Sequence, residues 1–184
     1  MSAIAAVTVY AASSRQSPPA FLALAGELGR GLAELGLVTV YGGARVGMMG
    51  ALAEGALAAG GRVEGVILDE FSDVAHDGLH VLETVGDMRS RKAGLADRGD
   101  AFVVLPGALG TLEEVTEVMV ERQLGFHHKP IVLVNHEGFW DSLLALLDRQ
   151  LRDGVLAAAH REIPAVVPDA RGALDFLAAA RSPQ

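Results

Sequence analysis

Short apolar runs alternate with longer amphipathic stretches along almost the whole chain. The runs cover residues 4–10 (IAAVTVY), 37–41 (LVTVY), 62–68 (RVEGVIL), 80–84 (HVLET), 100–105 (DAFVVL), 130–134 (PIVLV) and 165–167 (AVV). Between the first two, residues 21–35 put Phe21, Leu24, Leu28, Leu32 and Leu35 on one helical face. Residues 48–60, 87–99, 111–124, 138–151 and 169–180 predict further helices, and residues 69–78 read as a loop. In the segment 111–124, Leu112, Val115 and Met119 face inward. The apolar runs lack a clean in–out alternation, which is the pattern of strands covered on both faces. The fold expected is therefore α/β, a doubly wound and mainly parallel sheet with helices on both faces, in one domain spanning 1–184.

In such a sheet, ligands bind beyond the carboxyl ends of the strands. Three unusual segments fall there. Ser13-Ser14-Arg15 follows the first strand, YGGARVGMMG (41–50) the second, and the loop 106–111 the central one. In PGALGTLEE (106–114), glycines allow close approach of an anion, the amides of a following helix point outward unpaired, and Thr111 adds a hydroxyl. The same residues also fit a capping box, with Thr111 as cap and Glu114 reaching back. A phosphate cup and pure helix chemistry both remain open from these residues. The 106–111 loop is not a Walker loop, since no Gly-Lys-Ser/Thr follows. GGARVG departs from GxGxxG because Ala44 holds the middle position, which disfavours NAD. DMRSRK (87–92) gathers Arg89, Arg91 and Lys92, with Met88, Arg91 and Lys92 roughly along one helical side. An arginine fork suits phosphate or carboxylate, although a solvated face would look alike.

Charge sharpens the picture. The chain has 184 residues and a formal charge of −8, so no general affinity for a nucleic acid polymer is expected. There are no cysteines, which excludes disulfides and thiolate metal sites. No apolar run reaches the ~20 residues needed to span a bilayer. The N-terminal segment lacks a basic n-region, so a cytoplasmic location is expected, without membrane attachment. His76 and His80 flank a glycine with no zincin-type Glu, and no metal site is expected. Lys92 and Lys129 are the only lysines, and nothing near them suggests a pyridoxal phosphate pocket. Gly-x-Ser-x-Gly is absent.

Taken together, PGALGTLEE, YGGARVGMMG and MRSRK resemble, in this order around these strands, the Lonely Guy (LOG) family of Rossmann-like phosphoribohydrolases. The resemblance runs from Val7 to about Val167. It implies hydrolysis of the N-glycosidic bond of a nucleoside 5′-monophosphate, of AMP or cytokinin riboside type, to free base and ribose 5-phosphate. By position it implies Glu114 and Arg91 as catalytic residues. Ser14, Gly43, Gly47, Met48, Met88, Lys92, Pro106, Gly107, Gly110 and Thr111 become the candidate substrate and phosphate contacts. It implies no cofactor, and a homodimer with the site near the subunit boundary. An ionised carboxylate near C1′ would stabilise oxocarbenium character, and Glu114 in a first helical turn is expected to stay ionised.

The departures from the family pattern are Ala12, Ala44 and Ala108 in place of glycines, and Arg89 in place of histidine. An alanine forced into a left-handed conformation costs ~1–2 kcal/mol. Alternatively, the three methyl groups reshape the crevice. Two further readings therefore stand beside the enzyme: a nucleotide-binding protein with weak or no turnover, or an altered base preference, and a scaffold whose glycine loops serve only the fold.

Overall fold

The computed structural model describes residues 4–181. Strands β1 (Ala6–Tyr10), β2 (Val38–Tyr41), β3 (Val63–Leu68), β4 (Val81–Val85), β5 (Ala101–Val104), β6 (Ile131–Val134) and β7 (Pro164–Val167) form one sheet. Its order is β4-β3-β2-β1-β5-β6-β7, and every neighbouring pair is parallel. The chain winds outward from β1 to β4, then crosses back to lay β5 against the other side of β1. That reversal opens a crevice at the carboxyl ends of β1 and β5.

Helices α1 (Pro19–Glu34), α2 (Gly47–Ala58) and α7 (Ala170–Arg181) cover one face. Their Leu28, Leu52 and Leu177 pack against Val7, Val9, Tyr41 and Val103. Helices α3 (Met88–Arg98), α4 (Leu109–Gln123) and α5 (Asp141–Arg152) cover the other. There Leu95, Val115 and Val118 pack against Tyr10, Val40, Phe102 and Leu133. Alternate residues of each central strand thus go to opposite cores. This is why the strands read as continuous apolar runs. The edge strand β4 departs from this pattern, with Glu83 and Thr84 exposed on its two faces.

Several boundaries differ from the sequence expectation. The segment 69–78 contains a 3-10 turn, Asp69–Val74. A second 3-10 turn, His136–Gly138, precedes α5, and a short helix α6 (Ala158–Arg161) lies ahead of β7. More consequential, α4 starts at Leu109, two residues before Thr111. Its N-cap is Ala108, in extended conformation (φ −90°, ψ −155°), and no side chain caps it. The capping box does not form, because Thr111 is already inside the helix and Glu114 points to Arg91 instead.

Candidate active site

Three loops meet at the crevice, and the backbone of Ala12 knits them. Its N–H donates to the Pro106 carbonyl (3.3 Å), and its own carbonyl accepts from the N–H groups of Met48 (3.0 Å) and Met49 (3.4 Å). Gly47 makes this join possible. It sits at φ 61°, and a Cβ there would come within 2.6 Å of the Ser14 carbonyl oxygen. The 3-10 turn after β3 is tied to the same frame: the Arg45 N–H donates to the Val74 carbonyl (2.9 Å) and the His76 N–H to the Gly43 carbonyl (3.0 Å).

The frame encloses an open cleft of about 300 Å³. At its β5 end stand Met88, Arg91, Ala108, Gly110, Thr111 and Glu114. At its β3 end the lining is apolar, with Met49, Ile67, Phe71 and Val74, while Ser13, Gly42 and Ala44 line the stretch between. Arg91, on the first turn of α3, donates from Nη1 to Glu114 Oε1 at 2.9 Å. Asp87 starts α3 by accepting the Ser90 N–H (2.9 Å), which fixes where Arg91 emerges. Room for the guanidinium comes from Gly42, where a Cβ would overlap it.

Arg91 is 8% exposed and Glu114 only 4%. Taking two charges out of water is costly, and their attraction roughly offsets that cost only in good geometry. A buried pair on the wall of a cavity is therefore weak evidence for stability and makes these two residues the candidate functional groups of the cleft. Burial pushes the Glu114 carboxyl above the usual carboxylate range, and the Arg91 guanidinium opposes that rise. The helix dipole expected to hold this charge has little influence, because Glu114 is the sixth residue of α4 and the dipole fades beyond the first turn. Below the pair, Tyr10 stacks on Phe102 with ring centroids 5.8 Å apart. Burial, and then the Glu114 charge, push its phenol well above the ordinary range, so it stays protonated.

Of the residues anticipated from sequence, Met88, Arg91, Gly110, Thr111 and Glu114 converge on the cleft. The others lie behind it. Met48 is fully buried, Gly43 backs onto Ile67 and Leu82, and Gly107 packs against Thr111, whose side chain fills the space a Cβ would need. Pro106 serves through its carbonyl. Ser14 forms a turn, its Oγ accepting the Gln16 N–H at 3.2 Å, and its neighbour Ser13 reaches the cleft. Lys92 turns away to Glu113 and Glu117. The apolar end was missed. Its signal was an aromatic residue, Phe71, in an otherwise polar loop directly beyond a strand end.

The family model described as "Possible lysine decarboxylase" matches residues 49–177. A cytokinin riboside 5′-monophosphate phosphoribohydrolase of Rhodococcoides fascians is 43% identical over 180 residues, covering 96% of this chain and 89% of that protein. The chain belongs to the LOG family. LOG-family relatives in plants extend the match. A probable cytokinin riboside 5′-monophosphate phosphoribohydrolase of Oryza sativa subsp. japonica is 42% identical over 166 residues, covering 89% of this chain and 73% of that one. One from Arabidopsis thaliana is 36% identical over 167 residues, covering 90% and 77%. Among solved structures, the molybdenum cofactor binding protein of Rippkaea orientalis superposes with a TM-score of 0.76 at 21% identity, covering 97% of this chain and 98% of that one. That likeness bears on the fold alone.

Within this LOG-family chain, Ala12, Ala44 and Ala108 all line the cleft. None is strained, since Glu137 is the sole non-glycine with positive φ among the described residues. Their methyl groups act on the shape of the cavity, not on backbone stability.

Proposed function

We propose that this LOG-family chain hydrolyses the N-glycosidic bond of a nucleoside 5′-monophosphate, of AMP or cytokinin riboside type, giving free base and ribose 5-phosphate. The observation that carries the reading is the buried Arg91–Glu114 pair on the cleft wall, beside the N-terminus of α4. The relatives named as phosphoribohydrolases support it.

Amides opening α4 around Gly110, with the Thr111 hydroxyl, take the 5′-phosphate. Remote binding energy then positions the sugar over Glu114. As the bond from C1′ to the base nitrogen lengthens, positive charge develops on the ribose, and the Glu114 carboxylate stabilises it. Water adds its oxygen to C1′; one of its protons goes to the departing base and the other stays on the new C1′ hydroxyl of ribose 5-phosphate. Arg91 keeps the carboxylate ionised and aimed. The reading routes no step through a metal or an organic cofactor.

Purified protein incubated with a panel of nucleoside 5′-monophosphates should release free base, resolved by liquid chromatography. Glu114→Ala should abolish release, and a variant that keeps it refutes the catalytic assignment. The methyl groups of Ala12, Ala44 and Ala108 on the cleft wall favour one second reading, a binder with weak turnover. Nucleotide binding without release would establish it, and neither binding nor release would leave the scaffold.

The same reading takes the chain as a homodimer in the cytoplasm. Val120, Leu124 and Phe126 leave an exposed apolar stripe at the C-terminal end of α4 and the turn after it, suited to a second copy. Among the described residues no helix is long and apolar enough to cross a membrane.

A further inference from the structure

We infer that Lys92 is a positioning residue: it clasps Glu113 and Glu117 so that α4 presents Glu114, lying between them, to Arg91 and the cleft. This rests on the proposed hydrolase reading. It also replaces the substrate-contact role that the sequence alone suggested for Lys92.

The backbones of α3 and α4 scarcely approach each other in this part of the fold. The gap at the cleft is bridged by long side chains. Two consecutive residues of α3 reach consecutive carboxylates of α4, Arg91 to Glu114 and Lys92 to Glu113. Lys92 Nζ also reaches Glu117 Oε1 at 3.0 Å, one helical turn along the same face. Val115 and Val118 seat α4 in the core, and two anchors one turn apart refine its rotation and its height against α3 at the cleft. A single bond from Arg91 fixes neither. Lys92 does not line the cleft, so its ammonium is spent on this clasp and not on substrate.

The clasp also sets the charge around Glu114. The groups acting on that carboxyl are Arg91, Lys92 and Glu113, with the buried phenol of Tyr10 beneath them. Arg91 and Lys92 favour the anion and Glu113 opposes it. With Lys92 absent, Glu113 is an uncompensated neighbour and a competitor for the Arg91 guanidinium. The catalytic carboxylate then loses its aim and part of its charge.

The test is steady-state kinetics across pH for Lys92→Met, Lys92→Arg and the double variant Glu113→Gln/Glu117→Gln. A displaced catalytic group costs rate rather than binding, on the order of tenfold or more. Lys92→Met is expected to lower kcat by at least about tenfold, leave KM within about threefold, and move the acid limb of the profile to higher pH. Lys92→Arg should restore most of kcat. The double variant frees Lys92 without removing it and should reproduce the loss of kcat, which guards against a Lys92→Met that merely folds badly. Raised KM with unchanged kcat would make Lys92 a phosphate ligand and overturn the inference; so would wild-type kcat in the double variant.

Should the wild type release no base from any nucleotide, the hydrolase reading fails by itself. The clasp is then judged by ¹³C NMR titration of the Glu114 carboxyl. An upward shift in Lys92→Met supports the clasp, and an unmoved titration overturns it.

Discussion

Glu114 titrates above an ordinary glutamate because burial outweighs the Arg91 charge beside it. If the ionised form does the work, kcat/KM should fall on the acid side at a pH above the usual carboxylate range. Arg91 lowers this pKa, so Arg91→Gln should move the limb further up, as measured by a pH–rate profile in buffers of constant ionic strength. For stability the sign is the reverse of a usual salt-bridged acid. The folded state holds this proton more tightly than the unfolded chain, so the group's contribution diminishes as pH rises through that window. Gly110 separates fold from function. A Cβ there meets nothing within 4 Å, and its φ is not left-handed. Gly110→Ala should therefore leave thermal stability equal or higher, by up to about 1 kcal/mol in a helix. If the amides here hold the phosphate, the same methyl group stands in its place, and KM should rise at least about tenfold, since ~1.4 kcal/mol of lost binding is a factor of ten. An unchanged KM would remove the phosphate from this loop.

At the scale of elements, the loops after β1, β2 and β5 form one backbone-bonded frame, and the buried Arg91–Glu114 pair hangs on its edge. Gly47 is the tightest joint. Gly47→Ala meets both a left-handed φ, worth ~1–2 kcal/mol, and overlap with the backbone of Ser13 and Ser14. It should lower the denaturant midpoint by more than that strain alone and disturb KM through Ser13. An unaltered midpoint would mean that the loops separate freely. The seven strands and six long helices were legible in the sequence to within a few residues, because apolar periodicity reports the burial that creates them, whereas the 3-10 turns and α6 carry no such period. The start of α4 was not. Thr111-Leu-Glu-Glu114 carries the side chains of a capping box, but α4 already begins at Leu109 and Glu114 bonds Arg91 across the fold, so they are not used so. Arg91 and Glu114 themselves were legible through their motifs. The apolar end of the cleft was not: Ile67 and Val74 carry no chemical signature, and Phe71, the one signal there, gains a place only when the turn after β3 is folded against Ala44 and Arg45.

For the whole molecule, two independent cores lie on the two faces of one sheet, and the site sits where the winding direction reverses. The exposed stripe of Val120, Leu124 and Phe126 lies at the C-terminal end of the helix that carries Glu114 and in the turn after it. A second copy seated there would couple assembly to the site. Val120→Glu/Leu124→Glu places charge on the stripe without touching either core, and should convert a dimer to a monomer in sedimentation velocity. If the variant sediments as the wild type does, the stripe is not the interface.

The alternation of apolar runs and amphipathic stretches dictated a covered parallel sheet, because that pattern can bury its surface in few other ways. The three motif loops marked the strand ends at which the cleft opens. Tertiary structure decided which neighbour within each loop faces the cleft: Ser13 and not Ser14, Gly42 and Ala44 and not Gly43, Met49 and not Met48. It also decided that Lys92 serves carboxylates on α4. In loops and helix starts no fixed alternation tells neighbours apart, and the packing of three loops around Ala12 settles which of them looks inward.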